Sequence, residues 1–374
     1  MDFIRRIWAE IDIDALKGNL SAIKRHSGGG KIMAVVKADA YGHGVQNIVP
    51  ALDDAGADSF AVSNIAEAVA LREIGLKKPI LILGYTPYEN ADLLYKYDIM
   101  QCVFSAEYAK GLSLAAKKLN AKIKTFIKVD TGMGRIGFNC RDERLLELDD
   151  AVLSAKLDNL KTIGIFAHFA DADREKDKDD GFTDEQYARF KRVLKKFDEC
   201  NIKLAHSCCN SAAIMQDGDK VSGDICRPGI ILYGLEPSSK LSFPELTPVM
   251  TLKSVVSFVK TISPGETISY GRTFKAEREM KIATVSAGYA DGYPRALSNK
   301  AYVLVRGQKA KVVGRVCMDQ MMIDVSGTPV AAGDEVILFG KDLSINYLAD
   351  LANTINYEII CNVNKRVPRI VVKK

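Results

Sequence analysis

No Cys-x-x-Cys pair occurs among the 8 cysteines, so the common zinc and thioredoxin spacings are missing and no metal site is expected. No apolar run approaches the ~18 residues that span a bilayer, which excludes a helical membrane anchor. No basic start followed by a continuous apolar region opens the chain, since Met1–Glu10 alternates charged and apolar residues; no export signal is expected. No Gly-x-Gly-x-x-Gly follows an early apolar run, which argues against a dinucleotide-binding sheet. No repeat of fixed period is present. Excess charge is small, 52 basic against 47 acidic residues, and it is spread along the chain, so nucleic acid is not an expected partner. Thiols without an export signal fit the reducing cytoplasm.

What is present is an ordinary globular composition, 47% hydrophobic and 26% charged over 374 residues, long enough for two domains. The first two-thirds alternates apolar runs with amphipathic helical stretches. The runs are Ile32–Lys37, Ser59–Ser63, Pro79–Gly84, Ile99–Phe104, Lys122–Asp130, Thr162–Phe169, Lys203–Ser207 and Ile225–Tyr233. Most are nearly uninterrupted, as in strands buried on both faces of a parallel sheet. Asp12–His26 reads as a helix, Ser105 as an N-cap, and Thr183-Asp-Glu-Gln186 as a capping box. Gly56, Gly75 and Gly111 read as helix ends or turns. The fold class expected is α/β: an N-terminal (β/α)8 TIM-type barrel over 1–240.

Beyond the proline-rich stretch around Pro237, Pro244 and Pro248 the pattern becomes β-rich. Thr251–Ile262, Met280–Ala287, Ala301–Arg306, Lys311–Cys317, Met321–Val325 and Glu335–Phe339 read as strands, and Ser344–Thr354 as a helix. Residues 241–374 are expected to form a mostly antiparallel β domain, with Phe3–Glu10 pairing against it. The charge-dense tract Asp171–Asp180 has little to bury and reads as a solvated loop.

The strongest chemical signal is Ala34-Val-Val-Lys-Ala-Asp-Ala-Tyr-Gly-His-Gly44. Lys37 ends a buried strand, at the barrel end where active sites of this architecture sit. Burial disfavours the ammonium form, and a neutral amine can form a Schiff base. A snorkelling lysine would occupy the same place, but two nearby glycines suggest close backbone approach to a ligand. On residue chemistry alone, Tyr270 reads as a turn tyrosine and Arg227 as a surface arginine before a proline.

Val36–Gly44 resembles the pyridoxal-phosphate attachment motif of alanine racemases. The likeness continues through Lys128–Gly137, Ala167-His-Phe169, Asn210-Ser-Ala-Ala213, Arg227-Pro-Gly-Ile230, Ser269-Tyr-Gly271, Gly288–Gly292 and Gly314–Gln320, in matching order. It implies a cytoplasmic homodimer that interconverts L- and D-alanine with pyridoxal 5'-phosphate and supplies D-alanine for peptidoglycan. It assigns Lys37 as cofactor attachment and one base, and Tyr270 of the other subunit as the second base. A tyrosine hydroxyl is a poor base at its ordinary pKa of about 10, so positive charge must help it. Arg227 would face the pyridine nitrogen. His168 would lie beside the ring and hydrogen-bond Arg227. Tyr41, Ser211, Gly229, Ile230 and Tyr357 would hold the phosphate. Arg135, Met318, Asp319 and Tyr289 would serve the substrate, and Lys128 corresponds to a lysine often carried as a carbamate.

One departure stands out: many family members have a histidine where this chain has Ser207, and His206 lies one residue earlier. A one-residue shift on a strand turns a side chain to the other face. Cys208 and Cys209 read as buried strand-end thiols. The alternatives are a racemase preferring serine, a pyridoxal-phosphate-binding barrel without racemase activity, and a decarboxylase of similar design. Arg227 opposes the last, because decarboxylation benefits from a strong electron sink.

Overall fold

Val- and Ile-rich runs need partners on both sides, and here they find them in one parallel sheet. The computed structural model describes residues 4–174, 180–221, 223–238 and 241–372. Phe3 and residues 175–179 of the charge-dense tract lie outside these ranges. The strands of the first part are β1 (Ile7–Asp12), β2 (Lys31–Val35), β3 (Ser59–Val62), β4 (Ile80–Ile82), β5 (Ile99–Val103), β6 (Ile123–Asp130), β7 (Phe138–Asn139), β8 (Leu160–Phe166), β9 (Ala205–Ser207) and β10 (Ile225–Cys226). Eight of them follow the order β10-β2-β3-β4-β5-β6-β8-β9 with parallel neighbours, while β7 adds to the side of β6. The result is a nearly closed barrel whose connecting helices bury their apolar faces against it, as Leu16, Leu20 and Ile23 of Ile13–His26 do.

The second sheet contains β11 (Met250–Ile262), β14 (Met280–Val285), β15 (Tyr302–Val305), β16 (Gln308–Lys311), β17 (Met321–Asp324), β18 (Glu335–Phe339) and β19 (Arg369–Val372), while β12 (Thr267–Ile268) and β13 (Phe274–Lys275) form a small hairpin. Pairing is antiparallel except between β1 and β19. The first strand therefore leaves the barrel and lies between β11 and β19. The run Lys311–Cys317 is not a strand: Val312 makes an isolated bridge to Ile323, and Gly314 turns to φ 77° against Ile268 and Ser269. The run Ile225–Tyr233 is also cut short, because Pro228 and Gly229 end the ladder and Ile230–Tyr233 forms a buried 3-10 turn.

Three helix starts follow the sequence closely. Asp12 Oδ1 accepts from Ala15 N at 2.9 Å, Ser105 Oγ from Tyr108 N at 3.2 Å and Ser344 Oγ from Asn346 N at 3.2 Å. The capping box at Thr183–Gln186 does not form. Helix Phe182–Glu199 starts after Gly181, and the buried Gln186 accepts from Ala170 N at 2.9 Å and donates to His168 O at 3.1 Å. A buried peptide N–H needed that acceptor more than the helix end did. Gly111 is not a helix end either, but lies inside Ala106–Lys118 against the Tyr88 ring, where a side chain would clash.

Candidate active site

A cavity of about 450 Å³ opens at the carboxyl ends of the barrel strands. Lys37, Tyr41, Lys128, Arg135, His168, Ser211, Arg227, Gly229, Ile230 and Tyr357 all line it. Lys37 follows β2 and is half-buried. The chain after it runs left-handed, with φ 52–54° at Ala38, Asp39, Ala40 and Tyr41. Such backbone costs about 1–2 kcal/mol per non-glycine residue and needs external support. Glu67 provides some by accepting from Ala38 N and Ser63 N, both at 2.8 Å. Asp39 Oδ1 accepts from Val45 N at 2.9 Å, and Arg369 clasps Gly42 O at 2.9 and 2.8 Å. Gly42 itself has φ 79° and no room for a side chain beside Ile360 O.

One side of the cavity suits an anion. Ser211 opens helix Ser211–Val221, and Asn210 Oδ1 caps it by accepting from Ala213 N at 3.1 Å. Gly229 N donates to Ser211 Oγ at 2.9 Å. A Cβ on Gly229 would come within 2.6 Å of the Tyr41 hydroxyl, so glycine keeps this cradle open. The Tyr41 ring lies tilted against Tyr233, with centroids 4.9 Å apart, and against Tyr357, 6.2 Å away.

The floor carries unusual positive charge. Arg227 is only 4% exposed, so the surface reading of this arginine is wrong. Its Nη2 donates to Ala167 O at 2.8 Å and meets His168 Nδ1 at 3.3 Å. Lys128 is buried and donates to Val129 O, with its ammonium 5.6 Å from the Phe166 ring centre. Burial pushes its amine down to about 8, and Arg227 and Arg135 push the same way. Burial, then Arg135, also lowers Lys37, while burial followed by Arg227 holds His168 well below its usual range and neutral. Among the described lining residues, Asp173 is the sole carboxylate. Two lysines and two arginines against one carboxylate fit a ligand with two anionic groups.

Tyr270, Tyr289, Met318 and Asp319 are not among the cavity's lining residues. They belong to one patch of the second sheet's loops. Tyr289 N donates to Cys317 O at 3.0 Å, and Ser269 Oγ donates to Arg315 O at 2.7 Å. Tyr270 is 72% exposed and Met318 53%. The one-residue shift is resolved: Ser207 is buried and faces Arg227, while His206 points outward and pairs with Asp224 at 2.7 Å. Sequence reasoning missed Glu67 and Phe166 and gave Gln186 the wrong role; no local pattern marks Glu67, and Phe166 differs from other core aromatics only by preceding Ala167-His168.

Known proteins resemble this one over its whole length. The family description "Alanine racemase, N-terminal domain" matches residues 11–237, and "Alanine racemase, C-terminal domain" matches 249–371. Alanine racemase 1 of Clostridium acetobutylicum is 46% identical, covering 99% of this chain and 96% of the relative. The solved alanine racemase of Clostridium difficile 630 superposes with a TM-score of 0.92 at 38% identity, covering 100% of this chain and 97% of that one. The alanine racemase of Bacillus anthracis, solved with bound L-Ala-P, gives 0.90 at 34% identity, covering 100% and 96%.

Proposed function

The chain belongs to the alanine racemase family, and from that premise we propose that it interconverts L- and D-alanine with pyridoxal 5'-phosphate, using one base from each of two subunits. The cavity fits that cofactor: the open cradle at Gly229 with Ser211, Tyr41, Tyr357 and the Ile230 backbone suits its phosphate, and Arg135 and Arg227 suit its charge beside a substrate carboxylate. When bound to the substrate, the cofactor draws electrons from the α-carbon so that its proton can leave. Lys37 would hold the cofactor covalently, and its Nζ would take or return that proton on one face. Tyr270 Oη of a second subunit would do so on the other. Arg227 would meet the ring nitrogen, and because its guanidinium is always charged and can only donate, it would leave that nitrogen an acceptor and make the ring a weaker electron sink. Arg135 would orient the substrate carboxylate. Lys128, buried with its amine lowered, is suited to carbamate formation, which would turn its charge negative between Arg227 and Arg135. Met318, Asp319 and Tyr289 would line the shared entrance. In a bacterium the product would feed peptidoglycan synthesis in the cytoplasm.

The observation that carries this reading is that the cavity holds the expected cofactor set and Arg135, while Tyr270 lies exposed outside its lining, on the same patch as Tyr289, Met318 and Asp319. A homodimer resolves the mismatch by bringing that face of one copy to the cavity of the other. The test is incubation with L-alanine and pyridoxal phosphate in heavy water, with L-serine in parallel. Deuterated D-alanine should form faster than D-serine; the reverse would change the substrate and keep the chemistry. Tyr270→Phe should retain cofactor and lose about 10²–10⁴-fold in racemisation, most severely from the L side. Full activity in that variant would sink the two-base assignment.

A further inference from the structure

We infer that Ser207 is the positioning residue for Arg227, fixing which of its N–H groups face the ligand. The inference rests on the reading of the cavity as a pyridoxal-phosphate site. It starts at the seam of the barrel. Strands β9 and β10 end the sheet order, and no ladder joins them. Polar contacts close the gap instead. Ser207 Oγ donates to Ile225 O at 2.6 Å, His206 N donates to an Asp224 carboxylate oxygen at 3.0 Å, and Arg227 N donates to Cys209 O at 3.2 Å.

Ser207 does more than close the seam. A hydroxyl has one hydrogen, and Ile225 O takes it, which leaves the lone pairs of Oγ for Arg227 Nη1. Ser207 is 1% exposed, so no water competes for them. The other end of the guanidinium is held by Nη2, which donates to Ala167 O at 2.8 Å and also reaches His168 Nδ1 and Cys208 O at 3.3 and 3.5 Å. A planar group held at both terminal nitrogens cannot rotate about its long axis. Of its five hydrogens, Nε–H and the second Nη1–H have no partner among the described residues. Arg227 lines the cavity, so these are the hydrogens left for a ligand. Ser207 decides this at the Nη1 end. His206, next to it, faces outward and can take no part.

The test uses the full chain, stripped of cofactor with hydroxylamine and titrated with pyridoxal phosphate. Ser207→Ala should weaken binding about 10- to 100-fold, as expected for losing a hydrogen bond to a charged group, and Ser207→Thr should restore most of it. In an Arg227→Lys background, Ser207→Ala should add little further loss, because the partner is already gone. Asp224→Asn serves as the seam control: it should lower the melting temperature and leave the dissociation constant within about twofold of the starting protein. Additive losses in the double variant, or equal weakening by Asp224→Asn, would show that Ser207 acts through barrel closure and overturn the inference. If Arg227→Lys and Lys37→Ala both leave binding unchanged, the cofactor reading itself fails.

Discussion

His43 is fully buried, and its Nδ1 lies 3.1 Å from Ala40 O and 3.0 Å from Tyr41 O. Two carbonyl acceptors at one nitrogen require a hydrogen on Nδ1, and through it the ring pins the left-handed run that follows Lys37. Its Nε2 has no partner among the described residues, and burial pushes the imidazole down to about 4. Unfolded, the same ring titrates at about 6.5. Between these values the unfolded chain binds the extra proton, so stability rises with pH. The contribution is complete above about 6.5 and lost as pH falls toward 4, roughly 3 kcal/mol in all. His168, held neutral by burial and then by Arg227, acts in the same direction. Urea unfolding at pH 7 and pH 5 should therefore show the native chain weakening on the acid side, and His43→Asn should flatten part of that slope. An unchanged slope would mean that His43 titrates alike in the folded and unfolded chain.

At the scale of elements, one carboxylate ties distant segments together. Asp291, fully buried in the turn after β14, accepts from Arg6 Nη1 at 2.8 Å, Arg366 Nε at 2.8 Å and Gly288 N at 3.0 Å. Arg366 also reaches Asp319 at 2.6 Å. The start of the chain, the Tyr289 turn, the Met318 loop and the segment before β19 are thus held at one point. Asp291→Asn keeps the shape and removes the charge, and should cost about 1.5–3 kcal/mol at neutral pH. The two arginines hold the native carboxyl below its usual range although burial opposes them. Its stabilisation is present above the unfolded value of about 4 and lost as pH falls below it. Denaturation curves of the two proteins should separate at pH 7 and converge in acid; a constant gap would rule out the charge as the cause. Local hydrogen bonding made the cap at Ser105 legible in sequence, and it placed the helix starts at Asp12 and Ser344 to within one residue. Gln186 was misread because its partner, Ala170 N, comes from another element that no local pattern names.

For the whole molecule, the decisive matter is where the two proposed bases, Lys37 and Tyr270, lie. Lys37 lines the cavity of its own chain and Tyr270 does not. If the sites are shared, Lys37→Ala and Tyr270→Phe each lack one base, yet a mixed dimer carries one intact site. Activity should return when the two inactive variants are dissociated and reassembled together. No recovery, with mixed dimers present, would place both bases in one chain. The buried runs, read in order, already prescribed a parallel barrel followed by a β-rich part, because strands covered on both faces must be apolar throughout. The motif around Lys37 was legible for the same local reason: a lysine at the end of such a run has to emerge at the strand's carboxyl end. Periodicity could say that Ser207 and His206 face opposite ways, but not which one looks inward. Nor could it say that Arg227 is buried or that Ala167, sixty residues away, holds it. Those outcomes depend on how the barrel closes between β9 and β10, where the neighbours of a side chain come from remote parts of the chain and only the folded molecule brings them together.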